Sequence, residues 1–212
     1  MPPSREIESR PDLSADVISL TFDDGPAEWT EPILETLRHE GVRATFFVVG
    51  DSIRGRERLL ARAAAEGHEI GNHTLTHPVL PDLSPEEIRT ELTSTNELVT
   101  DVVGRPPRVF RPPYFKVSPA VLSVAAECGF EWAVQASVWT TDWSLGSAEE
   151  IVGGILPRVE RGSIIDLHDG RPPNSAVGRA DRLPTVDAVA AIVPELLARG
   201  FELVTVSELI AL

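Results

Sequence analysis

Two adjacent carboxylates at the end of an apolar run are where this chain first suggests chemistry: Val17 to Phe22 runs into Asp23-Asp24-Gly25-Pro26. A buried parallel strand reads as near-continuous apolar sequence, and in barrel folds the working groups sit at the carboxyl ends of such strands. Side chains alternate along a strand, so Asp23 and Asp24 can serve one site only if the backbone kinks, and Gly25-Pro26 supplies the means. Alternatively, one of the two acids caps the helix that follows. About fifty positions later His73 and His77 stand four residues apart. In a helical turn that spacing puts both imidazoles on one face, where they can converge on one ion. Pro78 limits how far any such helix runs. With Asp24 the set is two histidines and a carboxylate. Three protein ligands leave a position open for water, which marks a catalytic rather than a structural metal site.

The elements that must position these groups alternate in type. The chain has 212 residues, 42% hydrophobic and 25% charged, which fits one globular domain with a substantial core. Strand-like runs occur at Val17 to Phe22, Ala44 to Val49, Val109 to Phe110, Glu131 to Val134, Ser163 to Asp166 and Glu202 to Val204. Helix patterns lie between them. Ser84-Pro85-Glu86-Glu87 combines an N-cap, a first-turn proline and a capping-box acid, and Ser118-Pro119 and Ser147-x-x-Glu150 open two more helices. Gly41, Gly67, Gly129 and Gly200 follow helical patterns as C-terminal caps do. Such alternation predicts an α/β fold with a mainly parallel sheet.

Three further motifs continue the series: Arg111-Pro112-Pro113-Tyr114, Asp142-Trp143 and Leu167-His168-Asp169. In order and spacing, all five segments resemble the polysaccharide deacetylases of carbohydrate esterase family 4, the NodB homology domain, over nearly the whole chain. The resemblance implies a distorted (β/α)7 barrel in a single domain, residues 17–212, preceded by a polar segment, residues 1–16. It also implies one divalent metal at the carboxyl-end face, held by Asp24, His73 and His77. Zinc is the expected ion, with cobalt, nickel or manganese as alternatives by ligand type. Such an ion would polarise a carbonyl and lower the pKa of its water from about 15.7 towards neutrality.

By the same resemblance Asp23 is the catalytic base, oriented and kept ionised by Arg111. The Tyr114 backbone N–H would hold the developing oxyanion. His168 would be the general acid, with Asp142 bonded to it and raising its pKa, and Trp143 would offer a face to a sugar ring or acyl methyl. The implied activity is metal-dependent removal of acetyl groups from N-acetylated or O-acetylated carbohydrates. Alternatives are a small amide or imide, or a natural product, as substrate of the same fold; an inactive sugar-binding module; and a non-haem iron oxygenase, since two histidines and a carboxylate also serve iron. Separate base and acid residues favour hydrolysis over the last two.

One residue departs from the resemblance. Asp166 stands where relatives commonly carry an apolar residue of the acetyl pocket, and alternation turns it towards the cleft with Ile164 and His168. A buried carboxylate needs a partner, for which neighbours of Asp142, Arg171 or a polar group of an unusual substrate are the candidates. Phe115 would narrow the cleft. Trp29, Trp132 and Trp139 read as packing, Cys128 as quiet packing late in a helix, and His39 and His68 as ordinary solvent or helix-end residues.

A formal charge of −14 opposes binding to nucleic acid or anionic membranes. No apolar run reaches a membrane span, and the polar segment Met1 to Asp16 does not read as a signal peptide. The expectation is therefore a cytoplasmic location, or a leader missing from this sequence, with an acetylated amino-sugar oligomer or polymer as the binding partner and no required protein partner.

Overall fold

Residues 2–172 and 181–212 are described by the computed structural model, so Met1 of the polar N-terminal segment lies outside them. The described strands are β1 (Arg5–Ile7), β2 (Val17–Asp23), β3 (Thr45–Val48), β4 (Glu69–Asn72), β5 (Val109–Phe110), β6 (Trp132–Val134), β7 (Val138–Trp139), β8 (Ile164–His168) and β9 (Glu202–Leu203). Their pairings are all parallel, in the order β1-β6-β5-β4-β3-β2-β8-β7, with β9 also against β2. The sheet curls into a distorted (β/α) barrel. Among the described residues no strand pairing joins β7 to β1.

β2 is the axis of the site. It is buried along its whole length, as a continuous apolar run flanked by parallel neighbours requires. Its register sets Asp23 opposite His168 of β8 on one side and Phe47 of β3 on the other. The base and acid positions therefore stand at the tips of adjacent strands.

The helices are α1 (Thr30–Glu40), α2 (Gly50–Ile53), α3 (Glu57–Ala65), α4 (Pro85–Val103), α5 (Pro119–Glu127), α6 (Ala148–Ile155), α7 (Leu183–Ala198) and α8 (Val206–Ala211). Their ends follow local chemistry. Ser84 accepts the Glu87 N–H while the Glu87 carboxylate accepts the Ser84 N–H, a closed capping box at the start of α4. Ser118 and Ser147 cap α5 and α6 through their side chains alone, accepting the N–H groups of Val121 and Glu150. Gly41 ends α1 at φ 69, a conformation open to glycine at no steric cost.

Sheet and helices meet in a core where Phe22 stacks on Phe46 at 5.0 Å between ring centroids, with Ile33, Leu37, Ile192 and Leu196 packed around them. Burying each such side chain contributes about 1.5–3 kcal/mol, which fixes the strand tips as a rigid platform.

Several expectations change here. The polar N-terminal segment supplies β1, which lies beside β6 with the Arg5 guanidinium 3.8 Å over the Trp132 ring. Strands β4 and β7 gave no apolar run: β4 reads Glu-Ile-Gly-Asn and β7 has two residues. His68 is buried, not solvent-facing, and its Nδ1 accepts the Ala44 N–H at 3.1 Å. None of the described helices is long and apolar enough to cross a membrane.

Candidate active site

The two acids at the tip of β2 diverge because the backbone turns between them. Asp24 adopts φ 74, in the left-handed region, ahead of a cis Gly25-Pro26 bond. Asp169, just past β8, holds this turn. Its Oδ1 accepts the Gly25 N–H at 3.1 Å, its Oδ2 accepts the Thr30 hydroxyl at 2.5 Å, and its own N–H donates to the Asp23 carbonyl at 3.2 Å. A Cβ on Gly25 would run into the Asp169 carboxyl group, and one on Gly170 into the Asp24 backbone. Burial raises the Asp169 pKa to about 7. Asp169 belongs to a motif visible in the sequence, but its mechanical part depends on contacts across 144 positions.

His73 and His77 do not share a helical turn. His73 follows β4, and Thr74 and His77 take left-handed φ values of 69 and 61, so the segment is an irregular loop. Side chains hold it in shape. Asn72 Oδ1 accepts the Thr74 N–H at 2.8 Å, the Thr74 hydroxyl accepts the His77 N–H at 3.1 Å, and Glu91 of α4 accepts the N–H groups of Leu75 and Thr76 at 2.8 Å each.

The loop brings the three expected ligands together by another route. The Nε2 atoms of His73 and His77 lie 3.7 and 3.4 Å from Asp24 Oδ1. Two ligands about 2.0–2.2 Å from one ion at a tetrahedral angle are about 3.3–3.6 Å apart, so the His77 distance falls inside the range for a shared cation and the His73 distance about 0.1 Å beyond it. The Asp24 Oδ1 atom is buried without a hydrogen-bond partner, and burial raises the Asp24 pKa. A cation supplies the compensation that such an oxygen lacks. His73 places its Nδ1 2.7 Å from the Arg111 carbonyl, which fixes the proton there and leaves Nε2 a lone pair for the ion. Burial and the neighbouring His73 lower the His77 pKa to about 3, so its ring is neutral and able to ligate.

Arg111 is the buried hub beneath this site. Its Nη1 lies 2.8 Å from Thr21 Oγ1, Asp23 Oδ1 and Asp166 Oδ1, and its Nε donates to the Val134 carbonyl at 3.3 Å. The guanidinium also lies 4.3 Å over the Phe47 ring. Burial penalises the Asp23 charge, but Arg111, His73 and His168 outweigh it and hold that carboxyl below the usual range. Burial and the Asp23 charge instead push Asp166 well above it. The partner of Asp166 is thus Arg111, not Arg171 or a neighbour of Asp142.

On the other side, Asp142 Oδ1 lies 2.8 Å from His168 Nδ1, and its Oδ2 accepts both the His168 N–H and the Thr185 hydroxyl at 2.9 Å. Burial disfavours the imidazolium, yet Asp142 and Asp166 more than offset that and raise the His168 pKa well above the usual value. The His168 Nε2 is left to face a cleft of about 420 Å³.

Tyr114, Phe115, Trp139, Trp143 and Arg182 line the cleft above the acids. Tyr114 takes φ 60 in a single turn closed by Phe115 N–H to Pro112 O and Lys116 N–H to Pro113 O, which leaves its own N–H out of the turn's bonding. Its ring is exposed and stands 4.8 Å from the His77 ring, edge to face. Trp139 is 47% exposed and forms cleft wall, so the packing role expected of it does not hold. Arg182 carried no signal in the sequence because it works only through tertiary placement, lining the cleft near Asp24 and Asp142. The assembled site has an ion-binding trio, an ionised carboxylate held by a guanidinium, and an imidazolium held by a second carboxylate. That set can deliver water to a carbonyl and a proton to its leaving group.

Known proteins share this arrangement of chain. The polysaccharide deacetylase family matches residues 10–133. A chitooligosaccharide deacetylase of Bradyrhizobium sp. is 37% identical over 191 residues, covering 88% of this chain and 87% of its own. A peptidoglycan-N-acetylglucosamine deacetylase of Bacillus cereus is 35% identical over 200 residues, 92% of this chain and 88% of its own. Among solved structures, the Bc1960 peptidoglycan N-acetylglucosamine deacetylase superposes with a TM-score of 0.88 at 33% identity, covering 98% of this chain and 92% of that one.

Proposed function

The chain belongs to the polysaccharide deacetylase family and is a metal-dependent deacetylase, and we propose that it removes acyl groups from the amino-sugar nitrogens of N-acetylglucosamine oligomers or peptidoglycan glycans. The relatives' substrates support that choice. The observation that carries the mechanism is the division of labour at the tip of β2. Asp24 turns its Oδ1 to His73 and His77, while Asp23 is held by Arg111 through Oδ1 and brings its Oδ2 3.5 Å from His73 Nε2.

Asp24, His73 and His77 are the proposed ligands, and zinc is the proposed ion. When bound, the ion supplies Lewis acidity and lowers the pKa of water from 15.7 to about 7. Asp23 accepts the proton of the attacking water, and its depressed pKa keeps it ionised for that task. Arg111 fixes the orientation of Asp23 through Oδ1, leaving Oδ2 3.5 Å from His73 Nε2, beside the ion position. The Tyr114 N–H donates to the carbonyl oxygen as charge gathers there. His168 gives its Nε2 proton to the departing nitrogen, and Asp142 keeps the ring charged and aimed. Trp139 and Trp143 flank the cleft with flat apolar faces suited to sugar rings.

Acetate release from chitin oligomers and peptidoglycan fragments, with zinc, after chelation and after zinc is restored, tests this function. Zinc-dependent acetate release is the expected result. A zinc-loaded protein that frees no acetate from either substrate would overturn it.

A further inference from the structure

Asp166 gives the inner end of the cleft a hydrogen-bonding wall. It stands on β8 one inward position below His168. Arg111 engages only its Oδ1, at 2.8 Å. Its Oδ2 makes no hydrogen bond to a described residue, and Asp166 lines the cleft. One carboxyl oxygen each of Asp166 and Asp23 and a ring nitrogen of His168 lie within 4.8 Å of one another.

The attacking water must sit within hydrogen-bond reach of Asp23 and the leaving nitrogen within reach of His168, about 3 Å in each case, so the carbonyl to be cleaved lies between base and acid. With Asp166 grouped beside Asp23 and His168, the carbonyl's neighbouring carbon then packs against the Asp166 carboxyl group. A glycan is too large for a cleft of about 420 Å³ and must leave through the mouth, past the exposed Tyr114 and Trp139. The acyl tail therefore points inward. A bare methyl would strip water from the free Asp166 oxygen and give nothing back. A hydroxyl would satisfy that oxygen in either protonation state, since it can both donate and accept.

We propose, building on the deacetylase reading above, that Asp166 is a specificity-determining residue and that the site prefers amino sugars bearing a short hydroxylated acyl group, N-glycolyl, over an apolar acyl group of equal size. The reaction is hydrolysis. The water oxygen bonds to the carbonyl carbon, its proton passes to Asp23, the C–N bond breaks, and the nitrogen takes the His168 proton. The products are glycolate and a free amine.

The test uses the zinc-loaded full chain and glucosamine tetramers that are N-glycolylated, N-propionylated or N-acetylated, and reads kcat/KM from amine release. Glycolyl and propionyl differ only by hydroxyl for methyl. The wild-type protein should favour glycolyl over propionyl by about tenfold or more, because a site built to bond a hydroxyl rejects the analogue lacking it. Asp166→Leu should reverse that ratio, while Asp166→Asn, which still bonds Arg111, should keep it within about threefold. Equal cleavage of glycolyl and propionyl by the wild-type protein overturns the proposal and leaves the deacetylase reading standing. No amine from any tetramer overturns both.

Discussion

Asp142 grips His168 at two points at once, with Oδ1 2.8 Å from the ring Nδ1 and Oδ2 on the backbone N–H at 2.9 Å. Ring and main chain are tied to one carboxyl group, so charge and aim are set together. His168 must be protonated to act as the acid, and its raised pKa extends activity into alkaline pH. Asp142→Asn removes the charge that raises this pKa. The alkaline limb of the kcat profile should then move to lower pH, with kcat down about tenfold or more. An unmoved limb would contradict the assignment.

Asp23 and Asp24 should separate in their effects although they are neighbours. Asp23→Asn should lower kcat by about 10²–10⁴-fold and leave zinc content unchanged. Asp24→Ala should lose both activity and zinc. Zinc analysis of the purified variants beside acetate assays reads the two outcomes, and full activity in Asp23→Asn would remove the base assignment.

Glu91 makes no contact with the ion position, yet it holds the loop that carries His73 and His77 by three bonds of 2.8 Å. Supports of this kind are worth about 10–100-fold in metal affinity. Glu91→Ala should weaken zinc binding by that factor in a chelator competition with the far-ultraviolet spectrum unchanged. Wild-type affinity in this variant would mean that the loop is held well enough without it.

His68 links stability to pH. Burial lowers its pKa from 6.5 to about 4 in the folded chain. The unfolded chain therefore binds the proton more readily, and stability falls as pH drops from about 6.5 towards 4, by about 1.4 kcal/mol per unit of difference or roughly 3 kcal/mol in all. Thermal melts at pH 7.5 and 5 should show a larger loss of Tm for the wild-type protein than for His68→Gln. Equal losses would place the acid sensitivity elsewhere.

The chemistry of this site was legible because ligands, base and acid are named by residue type and sit in short motifs. The path of the backbone between them was not. The spacing of His73 and His77 suggested a helix, whereas Thr74 and His77 are left-handed and the loop is shaped by Asn72 and Glu91. Long apolar strands such as β2 declared themselves. β4 and β7 did not, being short and partly polar, and with β7 went the exposure of Trp139. The Asp166 partner was out of reach for another reason: Arg111 lies 55 positions away, and only closure of the sheet brings the two together.

The interlock of Gly25 with Asp169 and of Gly170 with the Asp24 backbone has a mechanical result. The ends of β2 and β8 behave as one piece, so the ion's anchor and the proton donor keep a constant separation from one turnover to the next. A methyl added at either glycine would wedge the two tips apart, and neither half of the catalytic pair can be remodelled without the other.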